Sequence, residues 1–155
     1  MNAADPCGKI LRDDAFGQRR GFVRMTAAYQ GAELLLLKDE NGFECGYALM
    51  LRDRAHRYAL LGWLGVYPTV RGGGIGSEFL ELIKARYAKY DCVFLEVTEY
   101  PELDKARRLV EFYRRHGWQE TGVPYTIGGR DTLLMHQGSA PQRADLKAVM
   151  EAIYA

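Results

Sequence analysis

Cysteine is scarce and poorly placed for cross-linking. Only Cys7, Cys45 and Cys92 are present. An odd number at wide spacing fits neither a disulfide framework nor a zinc site. The histidines His56, His116 and His136 make no spaced metal cluster with them, so no metal is expected. An excess of charge of one sign is missing too. Twenty-one Lys and Arg against 20 Asp and Glu leave a net charge of +1. Bulk electrostatics therefore point to neither nucleic acid nor an anionic membrane surface as a partner. The segment MNAADPCGKILRDDAFG has no apolar signal core, and no hydrophobic run approaches spanning length. Internal repeats and low-complexity tracts are lacking as well. These absences together predict a reducing, cytoplasmic setting.

What is present is an ordinary globular chain. Its 155 residues, 48% hydrophobic and 26% charged, suit one domain over 1–155 with a core of useful size. Pro6 suggests the start of a helix with Ile10, Leu11 and Ala15 on one face. A second short helix is suggested near Phe22 to Tyr29, giving a helical region over 1–31. The core, 32–136, is better marked. Strands near Ala32 to Lys38 and Phe43 to Arg52 flank Asn41-Gly42, a strong hairpin signal. RYALLGWLGVYP reads as a buried central strand ending at Pro68. Ile75, Phe79, Leu82, Ile83 and Tyr87 then recur at helical spacing. DCVFLEV is another buried strand. Leu103, Ala106, Leu109, Val110 and Tyr113 mark a second amphipathic helix, stopped by Gly117. Two strands follow near Trp118 to Ile127 and Thr132 to His136. A last helix lies within 139–155, with Leu146, Val149, Met150 and Ile153 on one stripe. That stripe suits capping the domain or packing in a homodimer. The order β-β-β-α-β-α-β-β from Ala32 requires a parallel crossover between flanking hairpins, hence an α/β (α+β) fold with a mixed, twisted sheet and helices on its faces.

The awkward feature is VRGGGIGS. Glycine costs roughly 1 kcal/mol inside a helix, yet four glycines gather where one must begin. The first helical amides lack intrahelical partners and carry the positive end of the dipole. Residues without Cβ let a phosphate or pyrophosphate reach those amides, and Arg71 adds a charged donor fork. The same glycines also suit a plain tight turn. The run lacks the GK[ST] ending of a phosphate-hydrolysing loop, and Ser77 breaks the dinucleotide GxGxxG spacing.

What the run does match is Arg-x-x-Gly-x-Gly, at Arg71, Gly74 and Gly76, preceded by Val66-Tyr67-Pro68. It resembles the acetyl-CoA-binding motif of the GNAT superfamily of N-acetyltransferases. ARRLVEFYRRHGWQETG is similar to the family's later helix, with Tyr113 four residues before Gly117-Trp118. One helix and one strand separate the two motifs, and the likeness covers about 32–136.

The resemblance implies a central parallel strand pair splayed around coenzyme A. Backbone groups of Leu64 and Val66 would face the pantetheine and acetyl carbonyl. The amides from Gly72 through Gly73, Gly74, Ile75 and Gly76 to Ser77 would hold the pyrophosphate. The implied reaction is acetyl transfer from acetyl-CoA to a primary amine of a small molecule or peptide, with Tyr113 as general acid. Tyr113 also fits an amphipathic core stripe, and the motif favours the functional role. The family's usual base carboxylate falls near Gly62, where this strand carries none. Glu96 could substitute as base, acting through water, as could Glu99 or Glu44; Glu96 also fits a solvated or hydrogen-bonded strand-end residue. Gly62 and Gly65 would widen the cleft, with Trp63 as wall or core. Arg107-Arg108 and Arg114-Arg115 are solvated pairs or contacts to the cofactor's 3′-phosphate. The family's first strand is not evident near the N-terminus. An alternative reading is an acyl-CoA- or partner-binding module with weak catalysis, and a third is a structural domain without cofactor.

Overall fold

The computed structural model describes the backbone of residues 10–12 and 21–26, and residues 31–38, 42–67, 74–98 and 103–155. The chain divides into two compact units, Met1–Leu51 with Gly62–Arg86, and Arg52–Leu61 with Tyr87–Ala155.

The first unit is built on strands β1 (Ile10–Arg12), β2 (Gly21–Thr26), β3 (Ala32–Lys38) and β4 (Glu44–Arg52), followed by the second half of β5 (Tyr58–Val66). The first four pair antiparallel in sequence order, with Ile10 opposite Val23, Arg24 opposite Leu35 and Leu36 opposite Tyr47. Helices were expected around Ile10 and from Phe22; the chain is extended at Ile10–Arg12 and Gly21–Thr26 instead. Short apolar runs satisfy either period. Here the backbone of β3 offers six consecutive partners to β2, and Phe, Val and Thr in GFVRMT favour the pleated surface. The strand missing near the N-terminus is thus supplied by this pair. The β3–β4 hairpin keeps its expected place, with Gly42 at φ 86° in the turn.

Helix α1 (Ile75–Arg86) buries Ile75, Phe79, Leu80, Leu82 and Ile83. Its last turn is fixed by a bidentate ion pair. Arg86 Nε and Nη2 each donate at 2.9 Å to the Glu33 carboxylate on β3. The Glu33 side chain is only 4% exposed, so breaking this largely buried, bidentate pair would cost about 3–5 kcal/mol.

In the second unit the first half of β5 runs parallel to β6 (Cys92–Thr98), with Tyr58 opposite Cys92 and Leu61 opposite Leu95. This is the central parallel pair. β6 is antiparallel to β9 (Arg130–Gly138) from Cys92↔Gly138 to Thr98↔Thr132. One strand was expected over 118–127; the chain forms two short ones, β7 (Gln119–Glu120) and β8 (Thr126–Ile127), both paired with β9. Gly122 at φ 72° and Pro124 interrupt the ladder between them. β8 turns into β9 through Gly128 and Gly129, at φ 57° and 77°, the two positive values a tight hairpin turn requires. Between β4 and β5, Asp53 Oδ1 accepts the Arg57 and Tyr58 amides at 2.8 and 3.1 Å, which fixes the turn into β5.

Helix α2 (Leu103–Arg115) lies between β6 and β7, and a 3-10 turn (Arg143–Asp145) leads into α3 (Leu146–Tyr154). The stripe of α3 is covered within the chain itself: Leu146, Met150 and Ile153 are all buried. Together these elements make an α/β fold around a mixed sheet, as the element order requires. Among the described residues no helix is long and apolar enough to cross a membrane.

Candidate active site

The first unit holds the start of the glycine-rich loop. Arg71, Gly72 and Gly73 lie outside the described residues, as does Glu99. Gly74 is described, and its carbonyl accepts the Glu78 amide at 3.0 Å, closing the first turn of α1. Its φ is +74°, and a Cβ there would meet nothing within 4 Å among the described residues. The position is therefore open in space but restricted in backbone conformation. Ile75 is buried and anchors the turn, while Gly76 and Ser77 are half-buried. The dipole of α1 places partial positive charge at this end.

Leu64 and Val66, both half-buried, lie on the second half of β5. This half is pressed against β4: a Cβ on Gly46 would come within 2.3 Å of the Gly65 carbonyl oxygen. A Cβ on Gly65 would lie 3.0 Å from the Tyr47 ring and 3.4 Å from the Trp63 indole nitrogen, so glycine lets both aromatics gather over this point. Trp63 is 58% exposed, which excludes a core role. At Gly62 a Cβ would sit 3.5 Å from the Leu49 carbonyl, in ordinary contact. Glu44 accepts the Tyr67 hydroxyl at 3.0 Å. Burial, and then this carboxylate, hold the Tyr67 phenol above its usual range.

Tyr113 belongs to the second unit, in the last turn of α2, and is 8% exposed. The spacing that singled it out is the geometry of a helix stop. The Trp118 amide donates to the Tyr113 carbonyl at 3.2 Å, and the Gly117 amide to that of Arg114 at 3.1 Å. With Gly117 at φ 86°, these two bonds are a Schellman cap. The apolar contact of that cap is made by the Tyr113 and Trp118 rings, 6.1 Å apart and edge to face. The cap thus sets the position and ring packing of Tyr113.

Glu96 is half-buried on β6, one residue beyond Leu95, the last position paired with β5. Both of its oxygens accept phenol protons: Tyr154 to Oε1 at 2.6 Å and Tyr125 to Oε2 at 2.7 Å. Burial, then the Glu96 carboxylate, push the Tyr125 phenol well above its usual range, so it remains a protonated donor. Sequence reasoning missed both tyrosines, which carry no motif and reach Glu96 from far along the chain. Of the basic pairs, Arg114 is held by Glu111 at 2.8 Å and also by Glu120. Arg107 faces Asp104 at 3.8 Å on an exposed surface. Among the described residues no group of three or more His, Cys, Asp or Glu is placed to hold a metal ion.

The strands pair in a mixed sheet with a parallel β5–β6 pair, α1 is opened by a glycine at positive φ, and the last turn of α2 holds a capped tyrosine. A family model described as an acetyltransferase (GNAT) domain matches residues 30–120, more than half of the chain. The chain belongs to the GNAT family of acetyltransferases. A protein assigned to that family from Bacteroides thetaiotaomicron superposes with a TM-score of 0.68 at 20% identity, over 82% of this chain and 73% of the other. The spermidine/spermine N-acetyltransferase SpeG from Vibrio cholerae, solved with manganese ions, gives a TM-score of 0.56 at 16% identity, over 70% and 66%. A GNAT acetyltransferase from Elizabethkingia anophelis with acetyl-CoA bound gives 0.57 at 15%, over 77% and 98%. At these identities the likeness shows the fold. A comparison with curated proteins found no match.

Proposed function

We propose that the protein transfers an acetyl group from acetyl-CoA to a primary amine of a small molecule or peptide by direct attack. The observation that carries this reading is Gly74: a helix-opening glycine at φ +74° with open space where its Cβ would point, in a chain of the acetyltransferase family. These residues fit a diphosphate group. Gly74, Ile75, Gly76 and Ser77 would hold it through first-turn amides, with Arg71, Gly72 and Gly73 completing the loop. Leu64 and Val66 would offer backbone groups to the pantetheine arm. Acetyl-CoA supplies an activated thioester carbonyl.

The chain's own tasks are to neutralise the amine and to protonate the departing sulfur. An alkylammonium of pKa near 10.4 costs about 4–5 kcal/mol to deprotonate at neutral pH. Glu96 would take that proton through a water molecule. Its two phenol donors fix the carboxylate while each oxygen keeps a further acceptor site. As the nitrogen bonds to the acetyl carbon and the carbon–sulfur bond breaks, Tyr113 would donate its phenol proton to the thiolate. The Schellman cap and the Trp118 contact hold that phenol in one place.

Release of free thiol from acetyl-CoA with a panel of primary amines tests the reading. Turnover that depends on the amine supports it. Saturable acetyl-CoA binding without turnover on any amine would favour the binding-module alternative, to which the lack of a carboxylate on β5 lends weight.

A further inference from the structure

The second unit contains a cavity of about 440 Å³ between the 123–126 segment and α3, a volume typical of small-ligand sites. Its walls are apolar, formed by Val123, Pro124, Leu146 and Met150. Its charged groups are sorted along the helix. Arg143, on the 3-10 turn, and Lys147 stand before and at the start of α3, and Glu151 stands toward its end, with the Tyr154 phenol. Tyr125 and Tyr154 both line the cavity and both donate to Glu96, so the half-buried carboxylate lies directly behind the phenols. A phenol that donates to a carboxylate becomes a better acceptor at its own oxygen. That end of the cavity therefore suits an ammonium or amine N–H. The other end suits an anion. Arg143 is held toward the 122–126 segment by one Nη2 bond, 3.0 Å to the Gly122 carbonyl, and Lys147 is exposed.

The separation of the two ends follows from helix geometry. At 1.5 Å per residue, Tyr154 lies about 10 Å beyond Lys147 along the axis. A ligand that engages both must carry its charges about that far apart. Three extended peptide residues have this reach, at roughly 3.3–3.6 Å each.

We propose that this cavity is the acceptor site, and that the acceptor is an apolar amine bearing an anionic group about 10 Å from its nitrogen, as in a short peptide or a long ω-amino acid. The proposal rests on the acetyltransferase reading: the amine end is the Glu96 end, where deprotonation would occur.

Three probes with the same apolar body separate the contributions: ω-aminooctanoate with an anionic far end, octylamine with a neutral one, and octane diamine with a cationic one. Their binding is measured by calorimetry in the presence of coenzyme A, which cannot react. The expected order is aminooctanoate, then octylamine, then the diamine, with steps of about two- to fivefold, the range of exposed charge pairs. The exposed substitution Lys147→Glu, which leaves that end neutral because Arg143 remains, should remove the preference for aminooctanoate over the diamine and leave acetyl-CoA affinity unchanged. Equal binding of the three probes, an order that Lys147→Glu does not alter, or no binding of any probe would overturn the proposal. Acetyl-CoA binding and thiol release, measured separately, report on the family chemistry. A protein that turns over amines without this charge preference loses the cavity assignment and keeps the enzyme reading. One that shows the preference but binds no acetyl-CoA keeps the cavity and loses the enzyme reading.

Discussion

Replacement of Gly74 by alanine separates two effects that the structure predicts to be of different size. The first is on stability. An L-residue at φ +74° costs roughly 1–2 kcal/mol. Loss of glycine's freedom in the unfolded chain returns about 0.4–1 kcal/mol. Among the described residues a Cβ at this position meets nothing within 4 Å, so they add no steric cost. The net loss is about 0.5–1 kcal/mol, a drop of roughly 1–4 °C in Tm for a domain of this size. The second effect is on the cofactor. The methyl group would stand where the proposed diphosphate would approach the first-turn amides. Loss of even one charge-assisted hydrogen bond, about 1.5–3 kcal/mol, weakens binding at least about tenfold. Gly129→Ala is the control: φ is +77° there and the space is equally open, so stability should fall by a similar amount with acetyl-CoA affinity intact. Gly74→Val should abolish binding and leave a folded, less stable protein. Scanning calorimetry reads the Tm and titration calorimetry the Kd. An acetyl-CoA Kd for Gly74→Ala within about twofold of wild type would refute the placement of the diphosphate.

Other consequences follow from named contacts. Tyr113→Phe keeps the ring against Trp118 and removes the hydroxyl, so kcat should fall by about 10²-fold or more in a folded protein; unchanged kcat would leave Tyr113 a cap residue alone. Arg86→Ala removes both charge-assisted hydrogen bonds from the buried Glu33 carboxylate and should lower stability by about 3–5 kcal/mol, read as a fall in the urea midpoint, while the pair Glu33→Met and Arg86→Met should restore most of it. Gly46→Ala should be severely destabilising, because its Cβ would lie 2.3 Å from the Gly65 carbonyl, whereas Gly62→Ala should be tolerated; equal urea midpoints would contradict the close approach of β4 and β5. Burial pushes the Cys92 thiol up to about 12 from 9.0. The fold then retains a proton that the unfolded chain releases, so this contribution is full below about pH 9 and is lost as pH rises toward 12. The stability advantage of wild type over Cys92→Ala should therefore shrink between pH 8 and pH 11; an advantage that does not change would refute it.

Most core elements were legible because each is longer than the ambiguity of its pattern; the single strand expected over 118–127 was not, since Gly122 and Pro124 divide it into β7 and β8. The uninterrupted apolar run of β5 and the helical period from Ile75 to Tyr87 admit one reading each. The first two strands were not legible. Three residues in β1 and six in β2 fit either period, and long-range pairing with β3 decides the matter. The Tyr113–Gly117–Trp118 spacing was readable because a helix cap is a local device whose geometry fixes its sequence. The surroundings of Glu96 were not. Its hydrogen-bond partners are 29 and 58 residues away, on β8's approach and at the end of α3, and no local pattern encodes such a meeting. Trp63 shows the same limit, since its exposure depends on what the folded chain leaves uncovered.

The most direct measurement is a calorimetric titration of the purified protein with acetyl-CoA, followed by thiol release on addition of primary amines. Saturable micromolar binding, and thiol release that depends on the amine and collapses in Tyr113→Phe, is the predicted result. A folded protein that binds no acetyl-CoA would contradict the account at its centre.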